Sequence, residues 1–187
     1  MNCLTLPLGA HAPETVNAII EVSGGQANKY EYDKSLHLFR LDRPLYASVH
    51  YPGDYGFIPS TLAEDGDPLD ILVLLAEPTF PGCLVAARPV GVLEMLDQNV
   101  LDEKVLAVAV SSPLHTEVHR HTDLFPHVLR EIEHFFAIYK ELEGKHTEVR
   151  GWRDAEQAQK LIVRCHRRFG EGGRKSAKRM RIGRRKR

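Results

Sequence analysis

Three carboxylates lie within six residues of one another in the segment 65–70, whose sequence is DGDPLD. Like charges this close repel and raise each other's affinity for protons, so such a cluster is typical of a site where a cation offsets the repulsion. The glycine and the proline inside the segment predict a bend that holds Asp65, Asp67 and Asp70 together. An ordinary solvated turn explains the same composition, whereas a calcium loop of the EF-hand type does not, because it needs a glycine at its sixth position. The cluster therefore predicts a cation-binding site if other charged residues lie close to it in the fold.

The segments around this cluster predict a scaffold of short strands. Residues 71–75 are all aliphatic and are typical of a buried strand, which would give the acidic bend a rigid base. The segment 46–58 is rich in tyrosine around a proline and a glycine, and we interpret it as a turn. Other apolar or alternating runs predict strands at 17–22, 29–33, 36–41, 84–96 and 105–110. Many short strands separated by turn signals predict an antiparallel barrel or sandwich.

After residue 125 the apolar pattern changes to the period of a helix. From Pro126 onward, apolar residues recur at steps of three and four, which predicts an amphipathic helix that ends at Gly144. A second helix is predicted to begin at Asp154, which forms the pattern of a capping box with Gln157. The segment that follows, 170–187, is basic, rich in glycine and without a period. It predicts a disordered tail behind a single domain of residues 1–169.

The zero net charge hides a difference between the body and the tail. Of the 25 basic and 25 acidic residues, the segment 164–187 contains 12 Lys or Arg and one acid, so residues 1–163 have a formal charge of −11. An acidic body suits a cation-binding protein. A barrel with a basic tail also fits a nucleic-acid-binding module, although the acidic body opposes that interpretation. For the tail itself, contact with nucleic acid or another anion and a purely solubilising role both stay open.

Several classes of protein are disfavoured by patterns that the sequence lacks. No apolar run is long enough to span a membrane, and the first residues do not have the layout of a secretory signal, so we expect a cytoplasmic protein. Three widely spaced cysteines are not typical of a disulfide framework or a thiolate zinc site. There is no phosphate loop, dinucleotide glycine pattern or nucleophile elbow. The histidines do not have the spacing of a zinc protease, and we expect surface or capping roles for them.

Other charged residues occupy defined places on the predicted elements. Glu21 interrupts an aliphatic run, while Lys29 and Glu31 share one face of an alternating strand. Arg43 precedes a proline, which favours extended backbone and a defined position for the guanidinium. Taken one at a time, each of these residues is explained as well by solvent exposure or by a surface ion pair.

Together these segments resemble the first class of soluble inorganic pyrophosphatases, the bacterial Mg²⁺-dependent type. The DGDPLD segment has the form of that family's signature, and the resemblance covers about residues 16–165. Other positions that match in order and near the family's spacing include Glu21, Lys29, Glu31, Arg43, Tyr51, Tyr55, Asp97, Asp102, Lys104, Tyr139 and Lys140. A match scattered over so many segments argues against coincidence.

The resemblance implies a fold, an activity and an assembly. The expected fold is α+β and mainly β, a five-stranded OB-like barrel with flanking helices. The expected activity is the hydrolysis of pyrophosphate to two phosphates by a metal-activated water, with several Mg²⁺ ions as cofactors and Mn²⁺ or other divalent ions as substitutes. The expected assembly is a homo-oligomer, a hexamer by analogy with bacterial relatives.

The resemblance also assigns roles to residues of this chain. Asp67 matches the general base that takes the proton of the attacking water. The expected metal ligands are Asp65, Asp70, Asp97 and Asp102. The expected phosphate-binding residues are Lys29, Arg43, Tyr55, Lys104, Tyr139 and Lys140. A supporting shell that orients metal-bound waters is expected from Glu21, Glu31 and Tyr51.

Parts of the chain depart from the family's pattern. Between Asp97 and Asp102 the family usually has a glycine and an acid, where this chain has the sequence QNVL. This change keeps the predicted ligands but alters their loop. Residues 1–15 are predicted to form an arm that packs on the body, and residues 111–121 a surface insertion.

Overall fold

The structure is a computed structural model that describes the backbone of residues 1–184 and the side chains of residues 1–172. The disorder and the anion contacts predicted for the basic tail fall largely on residues 173–187, whose side chains lie outside the described part of the chain. In the described part, none of the helices is long and apolar enough to cross a membrane.

Nine strands and two α-helices make up the described part of the chain, and eight of the strands precede the first helix. The strands are β1 (Val16–Val22), β2 (Asn28–Asp33), β3 (Leu38–Pro44), β4 (Asp54–Ile58), β5 (Leu69–Leu74), β6 (Leu84–Asp97), β7 (Val100–Leu101), β8 (Lys104–Ala109) and β9 (Thr147–Asp154). The helices are α1 (Pro126–Ile138) and α2 (Ala155–Arg184).

Five of the strands close into a ring. Strand β1 pairs with β4, β4 with β5, β5 with β8 and β8 with β6, and β6 returns to pair with β1. All of these pairings are antiparallel except that of β5 with β8. Strands β7 and β9 extend the sheet from β6, and the β2–β3 hairpin forms a separate two-stranded sheet. The prediction of a mainly β, five-stranded barrel with flanking helices is confirmed.

Alternation along the ring strands separates an interior face from an outer face. In β5, Leu69, Ile71 and Val73 belong to an interior cluster that contains residues from all five ring strands, and α2 packs against it. Burial of each such side chain contributes about 1.5–3 kcal/mol. The alternating positions, Asp70 and Leu72, lie on the outer face, where Leu72 joins a second apolar cluster with residues of α1. A charged side chain in β5 is therefore carried on the outer wall of the barrel without disturbing its interior.

Strand β4 lies in the segment that the sequence indicates to be a turn, and that interpretation is wrong for residues 54–58. All five residues of β4 are buried. A side chain at Gly56 would place its Cβ 1.9 Å from the carbonyl oxygen of Ile19, so the glycine allows β4 to approach β1 closely. A glycine that serves close strand packing cannot be told from a turn glycine in the sequence alone.

The segment 111–121 lies largely on the surface, as the sequence predicts, but several contacts anchor it to the body. Val118 is buried in the outer cluster, and the Arg88 guanidinium donates to three backbone carbonyl oxygens of the segment at 2.7–3.0 Å. The His121 ring stacks on Trp152, with 5.8 Å between the ring centroids. Trp152 belongs to β9, a strand of mostly polar residues that the sequence analysis does not predict. The segment is therefore an exposed segment that is attached to the body at these positions.

The helix starts agree with the sequence better than the helix ends. The Asp154 carboxylate accepts a hydrogen bond from the backbone N–H of Gln157 at 2.8 Å, as expected for an N-cap. Helix α1 ends at Ile138, and the predicted end at Gly144 belongs to a short 3₁₀ turn that follows. Helix α2 continues past its predicted end near Gly170.

Candidate active site

A cavity of about 290 Å³ opens on the outer face of the barrel, between the ring strands, the β2–β3 hairpin and the end of α1. Thirteen of the fourteen residues that the sequence predicts for the site line it. They are Glu21, Lys29, Glu31, Tyr51, Tyr55, Asp65, Asp67, Asp70, Asp97, Asp102, Lys104, Tyr139 and Lys140. The fold thus brings acidic, cationic and phenolic side chains from distant parts of the chain into one cavity.

Arg43 is the predicted site residue that does not line the cavity. It lies in β3 opposite Lys29, and its Nε atom donates to Oε1 of Glu143 at 2.7 Å. Its Nη1 atom pairs with Asp42. The remaining nitrogen, Nη2, is buried without a hydrogen-bond partner in the described structure. The guanidinium is therefore held by two acids beside the cavity, with one donor unused.

Lys104 occupies the floor of the cavity between two of the predicted metal ligands. The parallel register of β5 and β8 places it beside Asp70, and its Nζ atom donates to Asp70 and, at 2.5 Å, to Asp102. The side chain is only 4% exposed. Burial opposes the charge, but the two carboxylates outweigh it and raise the pKa of the Lys104 ammonium above its usual range. The floor therefore carries a permanent positive charge held by two acids.

A second acid–ammonium pair lies at the end of the cavity near α1. The Nζ atom of Lys140 donates to Oδ2 of Asp97 at 2.6 Å. The other carboxylate oxygen of Asp97, Oδ1, is buried and has no hydrogen-bond partner in the described structure. An unpaired buried carboxylate oxygen is costly unless another donor or a cation reaches it.

Glu21 projects from β1 into the cavity, where its Oε1 atom accepts the backbone N–H of Tyr32 at 2.7 Å. Burial raises the pKa of the Glu21 carboxyl from 4.5 to about 8, and the nearby charge of Asp70 acts in the same direction. The carboxyl is therefore protonated at neutral pH when only protein groups surround it.

This pKa predicts how stability depends on pH. A raised folded-state pKa means that the folded chain binds a proton that the unfolded chain releases, so the stability from Glu21 is present below pH 4.5 and is lost as pH rises to about 8. Glu21→Gln should abolish this slope, which is at most about 1.4 kcal/mol per pH unit. Urea unfolding of both chains in chelator, between about pH 5.5 and 7.5, measures the difference, and parallel pH profiles would contradict the assignment.

Three tyrosines line the wall opposite the acidic loop. Tyr51 and Tyr55 lie with ring centroids 5.3 Å apart, and Tyr139 stacks on Phe135 at 5.2 Å. Burial raises the pKa of the Tyr51 and Tyr55 hydroxyls, which stay neutral and able to donate. The Tyr51 hydroxyl is buried and unpartnered in the described structure. This wall therefore offers hydrogen-bond donors on a rigid aromatic base.

Asp67 lies at the exposed rim, in the acidic loop that precedes β5. Its backbone N–H donates to Oδ1 of Asp65 at 2.9 Å, which fixes the turn. Its own Oδ1 atom accepts from Nζ of Lys34 at 2.5 Å. Lys34 also lines the cavity, and sequence reasoning missed it. An exposed lysine in a hairpin turn carries no signal of a contact with a carboxylate 33 residues away.

The donor set fits a hard divalent cation. The five aspartates of the cavity offer carboxylate oxygen, the ligand that Mg²⁺ and Ca²⁺ prefer, and Oδ1 of Asp97 has no partner in the described structure. Among the described residues, no three acidic, histidine or cysteine side chains lie close enough together to form a ready-made metal site. Lys104 and Lys140 lie against three of the predicted metal ligands, Asp70, Asp102 and Asp97.

The cavity lies on the wall of a five-stranded barrel, and its ammonium and phenol groups are chemically suited to a small, highly charged anion. The family model for inorganic pyrophosphatase matches residues 18–170. The chain is 54% identical over 150 residues to an inorganic pyrophosphatase of Nostoc sp., covering 80% of this chain and 89% of that one. It is 49% identical over 157 residues to one of Halalkalibacterium halodurans, covering 84% and 96% of the two chains. The chain therefore belongs to the inorganic pyrophosphatase family.

Solved structures agree with this assignment. The inorganic pyrophosphatase of Thermus thermophilus superimposes with a TM-score of 0.89 at 46% identity, covering 91% of this chain and 99% of that one. An inorganic pyrophosphatase of Helicobacter pylori superimposes with a TM-score of 0.84 at 39% identity, covering 88% and 98%. The predicted family and its OB-like fold are thus confirmed along nearly the whole described body.

Proposed function

We propose that this chain hydrolyses inorganic pyrophosphate to two phosphates, with Mg²⁺ as its cofactor. The observation that carries the proposal is the convergence of ammonium groups, phenols and five aspartates on one cavity. Pyrophosphate carries up to four negative charges, which repel an attacking nucleophile, so its hydrolysis depends mainly on charge neutralisation and positioning. This composition supplies both.

The cationic side chains would bind the two phosphates. Lys29, Lys104 and Lys140 line the cavity from three different elements, so their charges surround a bound anion. The hydroxyl groups of Tyr55 and Tyr139 would donate hydrogen bonds to phosphate oxygens. Arg43 would contribute its unused Nη2 donor from beside the cavity. An anion held from several sides is fixed in one orientation.

The carboxylates would hold the cofactor. Asp65, Asp70, Asp97 and Asp102 would be its ligands, with Mn²⁺ or another hard divalent ion as a substitute. When bound, Mg²⁺ supplies positive charge to the phosphates and lowers the pKa of water. Glu21, Glu31 and Tyr51, which also line the cavity, would orient water molecules around these ligands.

Asp67 would act as the general base. Its carboxylate lines the cavity at the exposed rim, where solvent reaches it, and its backbone is fixed by Asp65. It would accept the proton of the attacking water. The hydroxide oxygen then forms the new bond to phosphorus as the bridging P–O bond breaks and the other phosphate leaves. The Lys34 ammonium donates a hydrogen bond to one oxygen of the Asp67 carboxylate. During the reaction this hydrogen bond would have to break, or the other oxygen would have to accept the proton.

Substitutions of Lys29 and Arg43, the two predicted phosphate-binding residues of the β2–β3 hairpin, should separate a strong from a weaker contribution to substrate binding. Lys29→Ala should raise KM for pyrophosphate about tenfold or more, because a hydrogen bond to a charged group contributes about 1.5–3 kcal/mol. Arg43→Ala should raise KM less, because its guanidinium does not line the cavity. Initial rates against substrate concentration measure both, with the exposed Arg150→Ala as control. An unchanged KM in the Lys29 variant would contradict its role as a phosphate ligand.

A comparison of substrates tests the proposed reaction. With Mg²⁺ in excess, the chain should release phosphate from pyrophosphate far faster than from a phosphate monoester of similar charge, because the cavity places cationic groups on several sides of a short anion. Equal rates for the two substrates would indicate a general phosphatase. Release from neither, by folded protein, would defeat the proposal.

The assembly and location of the chain stay predictions. A homohexamer is the assembly that the resemblance implies, and light scattering of the full chain tests it. Cytoplasmic location and contact of the basic tail with nucleic acid or another anion likewise rest on the sequence alone.

A further inference from the structure

Arg164 connects helix α2 to the segment that enters β8. Its Nη2 atom lies 3.0 Å from Oε2 of Glu103, whose side chain is 16% exposed. Glu103 directly follows Asp102, the acid that holds Lys104 at the cavity floor. The helix thus reaches one acidic segment of the cavity through a single ion pair.

The next turn of the same helix reaches the acidic loop, residues 62–67. Arg168 lies four positions after the first arginine and hence on the same face of the helix. Its Nη2 atom is 3.2 Å from Oε1 of Glu64, and its Nη1 atom is 3.4 Å from the carbonyl oxygen of Leu62. The backbone N–H of Leu62 donates to the carbonyl oxygen of Cys165 at 3.0 Å. The loop is thereby attached to α2 by side chain and backbone.

The two segments need a common support because they belong to different strands. The acidic loop enters β5 and the other segment enters β8, and these strands are parallel neighbours in the ring. Residues 64–67 are exposed. Their own turn is closed by local hydrogen bonds, which fix its shape but not its distance from the neighbouring segment. Helix α2 is the element that contacts both.

We propose that Arg164 and Arg168 are positioning residues that hold the two acidic segments at the separation from which their carboxylates bind the same divalent cation. Neither arginine lines the main cavity, so they act through Glu103 and Glu64. The inference rests on the proposed function, because it takes these carboxylates as the ligands of Mg²⁺.

The sign of the effect distinguishes positioning from simple electrostatics. An arginine near a cation site repels the cation, so its removal should strengthen cation binding if only charge matters. If the arginines position the ligands, their removal should weaken binding instead. Loss of supporting contacts around metal ligands typically lowers metal affinity by about 10–100-fold.

The test is calorimetric titration of MgCl2, without substrate, into the full-length chain and into the double variant Arg164→Met, Arg168→Met. We expect the Kd for Mg²⁺ to rise about tenfold or more in the variant. The matched control is Lys160→Met, which removes a positive charge from the same helix but pairs only with the exposed Glu156. Its Kd should stay within about twofold.

An unchanged or lower Kd in a folded double variant would overturn the positioning role. If the double variant does not fold, the same titration is made with Arg168→Met alone. The Arg168 side chain is 34% exposed, so we expect this single variant to fold. Absence of Mg²⁺ binding by the unaltered chain would overturn the proposed function and the inference with it. Normal binding by the unaltered chain and by the variant would overturn the inference alone.

Discussion

Replacing Asp67 by asparagine is expected to lower kcat by about 10²- to 10⁴-fold, the range typical of a lost general base. Asparagine keeps the shape of the side chain and can still accept from Lys34, but its amide cannot take a proton from water at neutral pH. Because the other acids of the cavity are untouched, binding of Mg²⁺ should change little. Initial rates at saturating pyrophosphate and Mg²⁺ measure the first effect, and calorimetric titration of Mg²⁺ the second.

Two outcomes would contradict this role for Asp67. Full activity of Asp67→Asn across the pH range would mean that another group accepts the proton. A loss of activity that excess Mg²⁺ restores would mean that Asp67 is a metal ligand rather than a base. The exposed Glu77→Gln is a suitable control, because it removes one carboxylate outside the cavity.

Replacing Lys104 by methionine is expected to have the largest effect on stability. The ammonium is almost fully buried between Asp70 and Asp102, and methionine fills similar space without charge. Breaking a buried ion pair by removing one partner costs about 3–5 kcal/mol, since the remaining charge is left uncompensated. In chelator, the free energy of unfolding should fall by about this amount, which urea unfolding measures.

The same variant should recover much of its stability when Mg²⁺ is added. A divalent cation bound to the two freed carboxylates replaces the charge that the lysine supplied, and a ligand that binds only the folded chain stabilises it. Lys160→Met is the control, because an exposed pair contributes about 0–1 kcal/mol. A Lys104→Met chain that is as stable in chelator as the unaltered chain would show that the charges at the cavity floor are not coupled as described.

The sequence alone predicts those elements that depend on residue type and on a short local pattern. The aliphatic run 71–75 predicts a buried strand after the acidic bend, and the structure has β5 there, although the strand begins two residues earlier, at Leu69. The capping pattern at Asp154 predicts where α2 begins, and the hydrogen bond from the Gln157 N–H to the Asp154 carboxylate confirms it. These features depend on neighbours a few residues apart, so sequence spacing is enough to find them.

Features that depend on distant contacts were not predictable in the same way. The place of Arg43 beside the cavity follows from its pair with Glu143, which is 100 residues away in the sequence. The contact of Lys34 with Asp67 arises because the hairpin lies over the acidic loop. Strand β4 was missed because the tyrosine-rich segment 46–58 has a proline and a glycine near its centre, which predict a turn, whereas the close packing of Gly56 against β1 is not visible in the sequence. In each case tertiary packing decides what the local pattern leaves open.

The most direct test of the account is the rate of phosphate release from pyrophosphate by the full-length chain, measured with Mg²⁺ and again with excess chelator. We expect rapid release with Mg²⁺ and almost none with chelator, because the aspartates of the cavity need a cation to neutralise the substrate. Release that is equally fast in chelator would contradict the role of the carboxylates. No release in either condition, by protein that is folded, would contradict the proposed activity itself.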